Sequence, residues 1–387
     1  MYFTPFLVID RPNLLTPAQA INEKVGIGLM SHTYASDNFK DRWRIKGIPT
    51  ICDSGVFLKE SYQDSALTYP DLFNRYNAAE CDYGIMLDAL GDREATIASA
   101  IEALKAYYAN GGRTFKLIGV TQGQNPSEHA ECAKTLLGYG FRHIAIGGML
   151  KKVEASARFV TAEDTRLRQT IEAVREVWDG WLFCLGCFHP RRLPLFEEFN
   201  VWGADSKWWA FQCDGGLATE VRHSQLIDRF TQAIRWHYEQ SGRAIALVSC
   251  VAEKLDHSAP AKNLYTSQLF IKAKRYIEAK GYSWAILSAL HGLVEPDQLV
   301  APYEYTLNRM DIKSRRLWAI KVHQQIKEML PTGGLIRVFA GEAYRQFLIP
   351  LLKQDGYMIE VPLEGLKIGE QLAWYIRRTE EAEGVAI

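Results

Sequence analysis

Short apolar runs, many of them β-branched, recur along the chain with amphipathic stretches between them. The runs Phe6–Ile9, Val25–Met30, Pro49–Cys52, Tyr83–Leu87, Phe115–Val120, His143–Ile146, Trp181–Leu185 and Val201–Ala204 predict eight strands. In Arg93–Tyr108 the apolar residues Ile97, Ile101, Leu104 and Tyr108 fall at helical spacing. Pro126-Ser127-Glu128 places a proline in the first turn of the next helix. Thr161-Ala162-Glu163-Asp164 reads as an N-terminal cap with acids near the positive helix end, and Gly111-Gly112 and Gly138 read as helix stops. Eight strands alternating with helices predict an α/β fold, a (β/α)8 TIM barrel over residues 1–241. An open doubly wound sheet is the competing arrangement, but it gathers its ligand groups at one switch point rather than at many strand ends.

The pattern changes after a long helix expected over Ser224–Gln240. Ser241-Gly242 breaks it, and a smaller α/β domain is expected over 242–387. Its strands would be Ala244–Val248, Trp284–Leu287, Leu335–Ala340 and Tyr357–Val361, its helices Ser267–Ala279 and Arg315–Leu330. No repeat and no low-complexity linker separates the two parts. The tail Thr379 to Ile387, with three glutamates and no clear period, is expected to be disordered.

Composition narrows the class. The 387 residues carry 45 basic and 45 acidic side chains, so net charge gives no general case for nucleic acid. Any such partner needs a local basic face. Lys151-Lys152, Arg166 with Arg168, Arg191-Arg192, and Lys313 with Arg315-Arg316 are the short clusters available, and each alone reads first as a solvated helix face. No apolar run reaches the roughly 20 residues of a membrane helix. The start, Met1-Tyr2-Phe3-Thr4-Pro5, lacks the basic and apolar regions of a signal peptide, so a cytoplasmic protein without a membrane partner is expected. Seven irregularly spaced cysteines argue against a disulfide framework and for reduced thiols.

Three predicted strands end in aspartate: Cys52-Asp53-Ser54-Gly55, Gly84-Ile85-Met86-Leu87-Asp88 and Gly203-Ala204-Asp205-Ser206. In a parallel barrel all such ends face one mouth, so acids distant in sequence can share a pocket. The other ends supply Thr121-Gln122-Gly123, Gly147-Gly148 and Gly186. A carboxylate and an amide together, Asp88 and Gln122, can hydrogen-bond the edge of a purine-like base. Gly147 and Gly148 let backbone approach a flat ligand. Asp53 and Asp205 suit substitution at a sugar anomeric carbon, one attacking and the other moving protons. Against this, an aspartate after a strand often only forms a turn or caps a helix.

Residues 25–213 resemble the tRNA-guanine transglycosylase superfamily. Cys52-Asp53-Ser54-Gly55-Val56-Phe57 is similar to its Asp-Ser-Gly-Gly/Ser-Phe-Gln motif, and Gly119-Val120-Thr121-Gln122-Gly123 to its Gly-Ile-Val-Gln-Gly. His143-Ile144-Ala145-Ile146-Gly147-Gly148-Met149-Leu150 is similar to Tyr-Ala-Ile-Gly-Gly-Leu. Leu185-Gly186, then His189-Pro190, then Gly203-Ala204-Asp205-Ser206 resemble the archaeal branch's Gly-x-Gly-His-Pro and Phe-Asp-Ser. The resemblance implies Asp205 as covalent nucleophile and Asp53 as general acid/base. It implies Asp88, Gln122, Gly147 and Gly148 as the base pocket, with Gly186 and His189 beside the substrate.

Departures are as definite. Val56 and Leu58 replace the family's Gly/Ser and Gln. The family's zinc motif, Cys-x-Cys-x-x-Cys with a later His, has only Cys213 and His223 here, while Cys184-x-x-Cys187-x-His189 precedes the nucleophile. Zinc needs about four ligands, so no metal and no cofactor is expected, with core thiols and a substrate-facing His189 instead.

In the second part, Ser249-Cys250-Val251-Ala252-Glu253-Lys254-Leu255, Leu264-Tyr265-Thr266-Ser267, Leu287-Ser288-Ala289-Leu290-His291-Gly292-Leu293-Val294 with Pro302-Tyr303, and Ala340-Gly341-Glu342-Ala343-Tyr344 put small and polar groups at strand ends. They form either a pocket or plain turns. This part resembles an uncharacterised domain that accompanies transglycosylase-like proteins in DNA-modification systems. Its Leu-His-Gly-Leu and Pro-Tyr segments resemble the YaaA family of peroxide-stress proteins, linked to DNA binding. The tRNA-binding PUA domain is not evident.

The chain is therefore similar to DNA-guanine transglycosylases, which insert 7-deazaguanines into DNA. That resemblance implies DNA, a 7-deazaguanine base and other DNA-modification proteins as partners, with Arg191 and Arg192 near phosphates. The same chemistry on tRNA, hydrolysis to an abasic site by an N-glycosidase, and a non-enzymatic binding module remain alternatives.

Overall fold

The computed structural model describes residues 3–33, 43, 45, 47–55, 67–109, 113–152, 159–161, 163–211 and 219–383. They form two compact units, Met1–Ile234 and Arg235–Ile387, whose boundary falls inside the helix Thr219–Gln240.

The first unit is a closed, all-parallel barrel of eight strands: β1 Thr4–Val8, β2 Gly28–His32, β3 Thr50–Asp53, β4 Tyr83–Ile85, β5 Lys116–Thr121, β6 His143–Ile146, β7 Trp181–Cys184 and β8 Gly203–Ser206. Neighbours follow chain order, and β1 pairs with β8 to close the ring. All eight expected strands are present, each within three residues of its expected start. Parallel strands buried on both faces read as continuous apolar runs, which is why they are legible.

Aromatic side chains fill the end where the strands begin. Tyr83 opens β4, His143 opens β6, Trp181 opens β7 and Trp202 precedes β8. Tyr83 stacks on Trp181 with centroids 5.2 Å apart, and Trp181 meets Trp202 at 4.7 Å. Such pairs add about 0.5–1.5 kcal/mol each beyond their burial. The start of the barrel is thereby packed.

The helix expected over Arg93–Tyr108 is present as Arg93–Ala109, but its buried face, and the cap expected at Thr161, differ from expectation. In Arg93–Ala109 the fully buried residues are Thr96, Ala100 and Ala103, whereas Ile97, Ile101 and Leu104 are half-buried and Tyr108 is exposed. Small residues let this helix approach its neighbours closely, and the larger ones flank the contact. Thr161 lies in a short strand, and the helix Asp164–Val177 has Glu163 at its cap position without a side-chain cap bond. Pro126 does open the helix Pro126–Gly138. There Asn125 caps the N–H of Glu128, while the Glu128 carboxylate receives the N–H of Gln124 at 2.7 Å. Gly138 is the last residue of this helix, and the left-handed glycine is Gly140, φ 105°. Gly111, Gly112, Val56, Leu58 and Cys213 lie outside the described residues.

The second unit is a five-stranded sheet: β9 Ala244–Ser249, β10 Trp284–Ser288, β11 Gly292–Val294, β12 Leu335–Phe339 and β13 Met358–Glu360, in the order β11-β10-β9-β12-β13. All pairs are parallel except the hairpin β10–β11, which sequence reading missed. Its helices include Gln268–Ala279, capped by Ser267, and Ile312–Met329, capped by Asp311. The tail is not disordered as expected. Ile368–Glu383 is a helix whose Tyr375 and Thr379 are buried, and only residues 384–387 lie beyond the described part. Its glutamates sit off the buried face. Among the described residues, no helix is long and apolar enough to cross a membrane.

Candidate active site

Because all eight strands run the same way, their C-terminal ends ring one mouth. Asp53 ends β3 and Asp205 lies within β8, while Asp88, Gln122, Gly147 and Gly186 follow β4, β5, β6 and β7.

The loop carrying Asp88 is braced from below. Tyr76 donates its hydroxyl to the Ile85 carbonyl at 2.7 Å. The Tyr69 hydroxyl receives the Leu87 N–H at 3.1 Å, and Ser99 donates to the Leu87 carbonyl at 2.8 Å. Thr96 receives the Ala89 N–H at 3.0 Å. These bonds satisfy backbone left unpaired where β4 ends.

Gln122 is buried and its amide is committed at both ends. It donates from Nε2 to the Asp88 carboxylate, and its Oε1 accepts the Gly91 N–H at 3.0 Å. Gly147 and Gly148 close over this amide. A Cβ on Gly147 would lie 2.4 Å from Gln122 Nε2, and one on Gly148, φ 69°, 2.6 Å from Oε1. The glycine pair is thus required by the protein's own Gln122, a reason the sequence alone did not suggest.

Asp205 is buried and accepts the Gly186 N–H on Oδ1 at 2.8 Å. Gly186 has φ 67°, and a Cβ there would meet Leu150 at 2.4 Å. Asp53 receives the backbone N–H groups of Ser54 and Gly55.

The three carboxyls feel one another. Burial raises Asp88, and the Gln122 bond only partly opposes this. Burial and then the Asp88 charge push Asp53 up to about 6. Burial pushes Asp205 up to about 7, where the charge of Asp53 adds to the rise against the Gly186 N–H. Between pH 6 and 7 Asp53 and Asp205 hold about one proton as a coupled pair.

The mouth has members that sequence reading did not single out. Asp10, just past β1, is bound by Lys207, just past β8, at 2.6 Å. Burial opposes ionisation of Asp10, but Lys207 outweighs it and holds the carboxyl below its usual range. His32 ends β2 and also favours the charged form of Asp10. Their strand-end positions were the available signal.

His189 is half-buried and caps the short turn Pro190–Arg192 by accepting the Arg191 N–H at Nδ1, 3.2 Å. Arg192 is buried. It donates to Asp164 at 2.7 Å and to the Cys187 carbonyl at 3.0 Å, so as placed it anchors the loop rather than presenting charge. Arg191 is exposed, with Asp164 at 3.8 Å.

Burial pushes the thiols of Cys184 and Cys187 far up, so neither is a ready thiolate ligand. Among the described residues no group of three His, Cys, Asp or Glu side chains could hold a metal. Cys213, which the resemblance would place in a zinc site, lies outside the described residues.

Residues 245–377 match DUF6884, a family of unknown function. This covers most of the second unit and none of the barrel strands. No curated protein matches the chain.

Proposed function

We propose that the chain is a base-exchange transglycosylase acting on DNA, replacing guanine by a 7-deazaguanine such as 7-cyano-7-deazaguanine. We read its barrel as a (β/α)8 TIM barrel with the reaction at its mouth. The observation that carries the reading is the coupling of Asp53 to Asp205, acids from β3 and β8 that meet in one field.

A base exchanged at its sugar must first leave the stack. Asp205 attacks C1′ through the oxygen not held by Gly186, and the C1′–N9 bond breaks with its electron pair going to guanine. Guanine takes the proton of the Asp53–Asp205 pair. The free protein favours that proton on Asp205, the reverse of what attack requires. Positive charge growing at the sugar favours the carboxylate nearest it, which leaves the proton on Asp53. The incoming base then gives its N9 proton to Asp53, attacks C1′ and releases Asp205. The glycosyl ester conserves the bond energy, so no ATP or redox cofactor enters the balance. Asp88, oriented by Gln122, accepts N–H groups from the base edge.

The choice of DNA, and with it DNA-modification partners in a cytoplasmic setting, rests on the resemblance of the second half. The test is incubation with duplex DNA, or with tRNA, and a labelled 7-deazaguanine. Label in DNA that is lost in Asp205→Ala supports the reading. Label in tRNA alone changes the substrate, and abasic sites without label change the reaction to hydrolysis.

A further inference from the structure

We propose that the second unit has a binding site of its own, for a planar heteroaromatic molecule of nucleobase size. A cavity of about 380 Å³ opens there, lined by Ser249 at the end of β9 and by Phe339 to Glu342, which end and follow β12. The chain leaves β9 toward β10 on one side and leaves β12 toward β13 on the other, so the strand order reverses between β9 and β12. The crevice outside the carboxyl ends at such a reversal is where open parallel sheets bind ligands. The volume is that of a small-molecule site.

Its lining selects the chemistry. Phe270, Phe339 and Tyr375 are buried aromatics against the cavity, the last two with centroids 6.0 Å apart. They offer apolar ring faces to a flat ligand. Glu342 and Arg345 supply the polar edge. Arg345 is paired with Glu342 at 3.0 Å and Glu364 at 2.9 Å, so its charge is already balanced and does not call for an anion. Its Nε, however, is buried with no hydrogen-bond partner. A buried donor left unmade is costly. An N–H donor beside a carboxylate acceptor complements the alternating acceptor and donor on a nucleobase edge. A ring nitrogen or carbonyl would satisfy Nε, and an adjacent ring N–H or amino group would meet Glu342. The site lies within the matched family region and is independent of the barrel chemistry.

Gly341 gives a clean plug. It lines the cavity, its φ is −71°, and a Cβ built on it meets nothing within 4 Å. Binding of guanosine and adenosine to the full chain is measured by calorimetry and saturation-transfer NMR. Asp88→Ala, which disables the barrel's base pocket, should bind both, and Gly341→Trp made in that Asp88→Ala chain should bind neither, with an unchanged circular dichroism melt. Glu342→Gln in the same chain should weaken binding about tenfold, the loss of one good polar contact. Competition by single-stranded DNA marks an extruded base as the ligand, and its absence marks a free nucleoside. No binding to Asp88→Ala, or equal binding to a folded Gly341→Trp in that chain, would overturn the proposal. If Gly341→Trp does not fold, Glu342→Gln decides, and unchanged affinity there overturns it. Failure here leaves base exchange at the barrel untouched, since that assay reads label in DNA.

Discussion

Gln122 donates its side-chain amide to the carboxylate of Asp88 across adjacent strands at the barrel mouth. The bond orients the carboxylate before any ligand arrives, and Gly91, Gly147 and Gly148 hold the amide in turn. Gln122 is therefore a positioning residue. Gln122→Glu sets a second carboxylate against Asp88 and should raise KM for the incoming base at least about tenfold while kcat falls less. Asp88→Ala should weaken the base similarly and relax selectivity. Steady-state exchange with labelled base separates KM from kcat. An effect of Gln122→Glu confined to kcat would contradict the positioning role.

Stability and catalysis should oppose each other at Asp205. Its folded pKa, about 7, lies above the 3.8 of a free aspartate, so the native state binds the proton more tightly than the unfolded state. Stability is lost as pH rises from about 4, and the loss is complete above about 7. Asp53, raised to about 6, adds the same sign over a lower window. Asp205→Asn keeps an acceptor for the Gly186 N–H but removes the buried charge. It should melt higher than wild type at pH 8, by an amount on the order of 1–4 kcal/mol, and near wild type at pH 4. It should also lose exchange by several orders of magnitude, because a covalent nucleophile has no substitute. Thermal melts at both pH values and single-turnover assays check this. A destabilised Asp205→Asn at pH 8 would mean that the carboxylate is stabilised in the fold.

The barrel was legible because each parallel strand is a short apolar run and amphipathic stretches alternate with the runs. The aspartates at three strand ends were legible because a parallel ring sends all ends to one side. Other features needed coordinates. The Asp10–Lys207 pair joins residues brought together only by ring closure between β1 and β8. The glycine pair 147–148 reads as room for a ligand, yet Gln122 occupies that room. The buried stripe of Arg93–Ala109 is made of small residues, so counting large apolar side chains rotates the helix. The tail glutamates hid a helix anchored by Tyr375 and Thr379.

Arg337 in β12 is buried, bonded to Glu360 at 3.0 Å and to Glu239, and its guanidinium lies 4.3 Å from the Tyr282 ring centroid. Removing it alone strands the carboxylate of Glu239, whereas Glu360 keeps Arg235 at 2.5 Å. Arg337→Met should destabilise the second unit by about 2–5 kcal/mol, and combining it with Glu239→Met should recover much of that loss. Chemical denaturation of wild type, single and double variants reads the difference. A double variant no better than the single one would show that the ion set itself, rather than the unpaired charge, sustains the packing.

The adjacent arginines 191 and 192 should separate into different phenotypes. Arg192 is 5% exposed, holding Asp164 and the Cys187 carbonyl, so Arg192→Ala should lower stability by about 1–3 kcal/mol, the lower part of the range reflecting the exposure of Asp164. Arg191 is exposed beside the mouth, and Arg191→Ala should leave the melt within about 0.5 kcal/mol of wild type. If this loop meets the DNA backbone, Arg191→Ala should weaken binding across sequences alike and reduce the salt slope by about one. Thermal melts and binding at several salt concentrations distinguish the two residues. An unchanged salt slope in Arg191→Ala would move the phosphate contacts elsewhere, and a stable Arg192→Ala would remove its anchoring role.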